Sequence, residues 1–190
     1  FRVRKSPRNN RNKMLKCSSS NISSAVFGTA HGTFSSSVVQ GIADITQAYP
    51  VTYNAASASN LNISVTDDPA DGHSRLTFAV PGFYQISFTG QAQNANANVQ
   101  DINLWIRYNG TNAAGTDTRY TVHSKHGSSN GALCIRSIYV IKVLAAGDFI
   151  QYIISGSSTD LSLSPNAAGT SPVTPAGFSV SLAAYIIAPL

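Results

Sequence analysis

The stretch RLTFAVPGFYQISF, residues 75–88, decides the fold. In its first half Leu76, Phe78 and Val80 alternate with Arg75, Thr77 and Ala79, and in its second half Tyr84, Ile86 and Phe88 alternate with Gln85 and Ser87. A period of two marks a strand with one buried face. Pro81-Gly82 interrupts the alternation, so the segment is expected to form a β-hairpin.

The same signal recurs outward. Ile102, Leu104 and Ile106 alternate, and Asn109-Gly110 follows with residues that tolerate positive φ in a tight turn. Residues 132–144 (ALCIRSIYVIKVL) are long for a strand and apolar on both faces: Leu133, Ile135, Tyr139, Ile141 and Val143 oppose Cys134, Ile138 and Val140. After the turn at Ala146-Gly147-Asp148, residues 149–154 (FIQYII) repeat this two-sided character, as do residues 178–187 (FSVSLAAYII). A strand apolar on both faces needs cover on both. A sandwich core covers one. The other is expected to meet a second subunit, through Ile138, Val140, Ile153, Ala183 and Tyr185, or else all three strands form the middle of a thick single-chain sandwich. Arg136 and Lys142 share the parity of Ile138 and Val140, so on a subunit interface they must be paired or at its rim.

The 190 residues fit one folded body with appendages. The chain is 43% hydrophobic and 11% charged, with Ser, Asn, Thr, Ala and Gly filling the polar positions. It holds 8 acidic residues, every one an Asp, so the Glu-based general acid/base pairs are missing. No apolar run is long enough for a membrane helix, and no apolar stretch of signal-peptide type follows the basic start, so a soluble, classically unsecreted protein is expected. Charge is unevenly placed. Residues 1–16 contain Arg2, Arg4, Lys5, Arg8, Arg11, Lys13 and Lys16 and no acid, seven of the 13 basic residues in the chain. Such a run cannot bury itself; it is expected to be an arm whose partner is nucleic acid or an acidic protein surface. Residues 17–29 (CSSSNISSAVFGT) read as a Ser-rich connector, which gives an arm and connector at 1–29 and a folded domain at 30–190.

Several of these stretches carry a resemblance: GFYQISF at 82–88, LWIRYNG at 104–110, TRYTV at 118–122, KHG at 125–127, LAAGDFI at 144–150 and STDLSL at 158–163. Together they resemble the jelly roll shared by tumour-necrosis-factor ligands and the complement globular head. Their wording is most similar to the branch found in structural proteins of tailed phages and other large DNA viruses. The likeness spans roughly residues 30–188. It implies an all-β, antiparallel jelly-roll sandwich, a homotrimer assembled through the two-sided strands, a place in the virion beside other capsid proteins, and no catalytic chemistry or cofactor. The basic arm lies outside the matched stretches.

Sites for chemistry are sparse. His123 and His126 stand three apart in an expected loop without a further evident ligand, and Asp67, Asp68 and Asp71 cluster before His73 without the ordered spacing of a calcium loop, so no metal is assigned. Cys17 and Cys134 are far apart and both are expected to be reduced, Cys134 packing as a small hydrophobe. Trp105 and Tyr108, near the Asn-Gly turn, either stack on a sugar or cap a sheet. Three classes of function remain: a capsid-associated structural protein, a shell protein whose arm neutralises packaged nucleic acid, and an attachment head for a host receptor or glycan.

Overall fold

The computed structural model describes residues 29–190, and these form strands joined by turns and loops, without a helix. In chain order the strands are β1 (His31–Ser36), β2 (Gln40–Gly41), β3 (Tyr49–Pro50), β4 (Ala55–Ala56), β5 (Ile63–Asp68), β6 (Gly72–Phe78), β7 (Gly82–Asn94) and β8 (Gln100–Tyr108). They continue with β9 (Thr111–Asn112), β10 (Thr118–Val122), β11 (Gly131–Val143), β12 (Phe149–Gly156), β13 (Leu161–Leu163), β14 (Gly169–Thr170), β15 (Val173–Thr174) and β16 (Val180–Ala188).

Two antiparallel sheets face each other. In the first, β7 is the spine: β11 runs along its whole length on one side, while β16 and then β13 share the other. Beyond β16 come β1 and β4, and β2 lies beside β13. The second sheet has the order β10-β8-β12-β6-β5, with β3 beside β12 and β9 beside β8. From β6 onward the chain changes sheets repeatedly, and the terminal strands β1 and β16 end as neighbours. That is an antiparallel jelly roll.

Alternation explains the core. Every second residue of β7 from Gly82 is buried, and Tyr84, Ile86 and Phe88 meet Leu104, Ile106, Ile150 and Tyr152 of the opposite sheet in one cluster. Phe88 stacks on Tyr152 across the two layers, with ring centroids 4.5 Å apart. Asn109 (φ 45°) and Gly110 (φ 82°) make the expected two-residue turn, since Tyr108 pairs with Thr111 on either side of them.

The hairpin expected at residues 75–88 does not form. β6 hydrogen-bonds to β5 and β12 in the second sheet, and β7 belongs to the first. Alternation reports a buried face but not whether the next strand lies beside it or across the core. Here it lies across: the rings of Phe78 and Tyr84 are 4.6 Å apart, and the Tyr84 hydroxyl donates to the Val80 carbonyl at 2.7 Å, closing the crossover. Gly82 is already paired with Val143 as a strand residue. It is needed for a close approach, because a Cβ there would come within 2.6 Å of Ile186 Cδ1 and 2.9 Å of the Ala188 carbonyl.

Candidate functional site

The outer face of the first sheet collects most of the residues expected at a subunit interface. On β11 the odd positions turn inward and the even ones outward, so Ile138 is 66% exposed and Val140 60%. β7 lies between β11 and β16, and the register sets two adjacent cross-strand rows: Ile138, Ser87, Ala183 and Thr33, then Val140, Gln85, Tyr185 and His31. Ala183 is half-buried and Tyr185 is 41% exposed. Arg136 and Lys142 bracket the Ile138–Val140 pair along the strand, both exposed, and Lys142 Nζ sits 5.9 Å from the centre of the Phe83 ring. The cations are therefore solvated at the ends of the apolar stretch. β11 also pairs on one side only, with β7, which leaves a 13-residue strand at the sheet margin.

Ile153 does not belong to this face. It lies on β12 in the second sheet, between Trp105 of β8 and Pro50 of β3 in register, and it is fully buried. The expectation that three two-sided strands share one interface is thus corrected: β11 and β16 share a face, whereas β12 is covered by its own chain. Apolar residues on both faces of a strand do not tell whether its own chain covers the second face.

Gln151, next to Ile153 on that outer face, is 2% exposed and was not singled out in the sequence. Its amide donates to Ser74 Oγ at 2.9 Å and to Asp68 Oδ2 at 3.3 Å. Asp68 also receives Arg75 Nη2 at 2.8 Å, and the Arg75 guanidinium lies 4.4 Å from the centre of the Phe149 ring. The Ala70 N–H, and then Arg75 and Gln151, hold the Asp68 carboxyl below its ordinary range. A glutamine between an isoleucine and a tyrosine gives no sign in sequence that it is the buried hub of a polar network.

The Asp cluster is divided accordingly. Asp68 serves Arg75, and Asp67 meets His73 Nδ1 at 2.6 Å in the open. Among the described residues no three His, Cys or Asp side chains converge as a metal site would require. Cys134 is exposed on the outer face of β11, which corrects the expectation of a packed thiol, since its even parity points it away from the core. Cys17 and the basic residues Arg2, Arg4, Lys5, Arg8, Arg11, Lys13 and Lys16 lie outside the described residues.

The aromatic pair near the Asn-Gly turn separates into two roles. Tyr108 packs against the core and donates its hydroxyl to Asp148, whereas Trp105 stands on the outer face of the second sheet with its indole N–H on Asn112 Oδ1 at 2.9 Å.

No protein-family model matches this sequence, and neither does any curated protein sequence. Solved structures similar to it include the globular domain of the zebrafish complement 1qA protein, 15% identical over 85% of this chain and 99% of that one, with a TM-score of 0.46. Another is the Eiger TNF of S. frugiperda, 12% identical over 86% of this chain and 95% of that one, with a TM-score of 0.49.

Proposed function

We propose that this protein is a non-enzymatic structural component of a virus particle: a homotrimer of jelly rolls that decorates or forms a minor part of the capsid, fixed to its neighbours by the basic arm. The observation that carries the assembly half of this reading is the pair of exposed apolar residues Ile138 and Val140, continued by Tyr185 across the first sheet. Covering that face removes apolar area from water at about 25 cal/mol per Å², a gain that must exceed the entropy of association. The virion half rests on the sequence resemblance and on the seven cations of residues 1–16.

The test is analytical ultracentrifugation of the full chain and of a chain lacking residues 1–16, at low and high salt, with and without nucleic acid. Trimers in both, with no nucleic-acid binding, support a protein-docking arm and capsid decoration. Trimers in both, with salt-sensitive binding by the full chain alone, move the protein to the shell-forming class with an inward arm. Monomers at every concentration would sink the assembly reading. A second reading, an attachment head, is favoured by one observation, an open groove beside Trp105 on the sheet opposite the proposed trimer face.

A further inference from the structure

We infer that this groove is a binding site for a neutral saccharide, with Trp105 as its stacking platform; the inference stands on the groove itself and does not require the trimer. The cavity measures about 350 Å³ and is lined by Trp105, Asn103, Asn112, Asp117, Ser155 and the Ala113–Gly115 loop. A second pocket of about 230 Å³ shares Asn103 and Ser155 with it and extends toward Asp101 and Arg119, so the two form one trough across β10, β8 and β12. The size lies at the lower end of ligand clefts, which run from about 300 to 1,000 Å³, and matches a mono- or disaccharide.

The walls are held before any ligand arrives. The Trp105 ring is oriented by its bond to Asn112, which also receives Arg107 Nε at 3.4 Å. The loop is tied back to β8 twice, Ala113 N donating to the Ile106 carbonyl at 2.9 Å and Ile106 N donating to Thr116 Oγ1 at 3.1 Å, and it is closed on itself by Thr116 Oγ1, which donates to the Ala113 carbonyl at 2.7 Å. Gly115, at φ 76°, turns the chain back toward β10. Pre-ordering of this kind lowers the entropic cost of binding. Asn103, Asp117 and Ser155 take part in none of the side-chain bonds that fix this face, which run from Asn112 to Trp105 and Arg107 and from Asp101 to Thr121.

An aromatic face beside an amide, a carboxylate and a hydroxyl is complementary to a sugar, which offers a C–H face and a rim of hydroxyls. The negative π-face attracts the C–H bonds, and planar polar groups pair with vicinal hydroxyls. Charge selects among sugars. The charged residues that line the trough are Asp101, Asp117 and Arg119, with Arg119 3.9 Å from Asp101, so the lining carries a net negative charge that disfavours an acidic glycan.

Trp105 is the one tryptophan in the chain, so its fluorescence reads the site directly. The full chain is titrated with glucose, galactose, N-acetylglucosamine and lactose, with N-acetylneuraminic acid as the anionic probe and a proline decapeptide as the other ligand that stacks on indole. A saturable emission change with at least one neutral sugar is expected. Asp117→Ala and Asn103→Ala should weaken it roughly tenfold, the effect of losing a hydrogen bond to the ligand, with no change in melting temperature. Ile138→Asp, on the other sheet, should leave it intact, which separates failure of this site from failure of assembly. No response to any neutral sugar, a response that survives both groove variants, or preference for the anionic sugar or the peptide would overturn the inference.

Discussion

The Tyr108 hydroxyl donates to Asp148 Oδ2 at 2.5 Å and so ties the Asn-Gly turn of the second sheet to the Ala-Gly-Asp turn that leads from β11 to β12. The same carboxylate accepts from Asn109 Nδ2 at 2.8 Å and from the N–H groups of Leu144 and Ala145, both at 2.9 Å. Asn109 Oδ1 in turn accepts from Phe149 N. The two stretches LWIRYNG and LAAGDFI are therefore two halves of one lock.

These donors, Tyr108 first, bring the Asp148 carboxyl down from 3.8 to about 2. A folded-state pKa below the unfolded value means that the lock stabilises fully above about pH 4 and loses its contribution as pH falls toward 2. Partial exposure reduces that contribution to roughly 1–2 kcal/mol. Asp148→Asn should lower the melting temperature at neutral pH by about 3–8 °C. Melting followed by circular dichroism from pH 7 to 2 should show the gap between the two proteins narrowing below pH 4; a gap independent of pH would contradict the role of the charge.

Tyr53 is buried in the core, edge-on to Phe34 at 6.3 Å, and its hydroxyl has no hydrogen-bond partner among the described residues. Burial pushes its phenol well above the ordinary pKa. An unpaired buried hydroxyl costs about 1–3 kcal/mol, so Tyr53→Phe should be neutral or stabilising by up to about 1 kcal/mol. Chemical denaturation measures this, and a clear loss of stability would show that the hydroxyl has a partner, such as an internal water.

Ile138 and Ile153 look alike in sequence but differ in exposure, at 66% and 0%. Ile153→Asp should cost more than about 3 kcal/mol, leaving little folded protein, because it buries an unpaired charge. Ile138→Asp should keep the β-sheet circular dichroism of the parent and sediment as monomer. Equal unfolding in both variants would place Ile138 in a core; unchanged trimer in Ile138→Asp would remove it from the interface.

Gly131 begins β11 at a point where an added Cβ would lie 1.8 Å from the His123 carbonyl oxygen. Backbone must move to make room, so Gly131→Ala should destabilise by about 1–3 kcal/mol. Gly41 faces open space, and Gly41→Ala is the matched control, expected to change stability by less than about 0.5 kcal/mol. Similar unfolding midpoints for the two would show that the β10–β11 loop yields freely.

What the sequence by itself determined was which side chains of the long strands share a face. Alternation in residues 75–88, 102–106 and 132–143 placed Phe78, Tyr84, Leu104 and Ile135 inside and Ile138 and Val140 outside, because consecutive strand side chains must point to opposite faces. The turn at Asn109-Gly110 was legible for an equally local reason, the tolerance of those residues for positive φ. What only the tertiary structure decided was which strand lies against which. The Pro81-Gly82 segment crosses between layers instead of closing a hairpin, Ile153 is covered by its own chain, and Gln151 is the hub of a buried network. The groove at Trp105 likewise exists because β8, β12 and the loop that leads into β10 bring Asn103, Ser155 and Asp117 together from three places in the chain. Periodicity is a property of one strand, whereas neighbours, cover and clefts depend on pairings between residues far apart, and no local pattern encodes those.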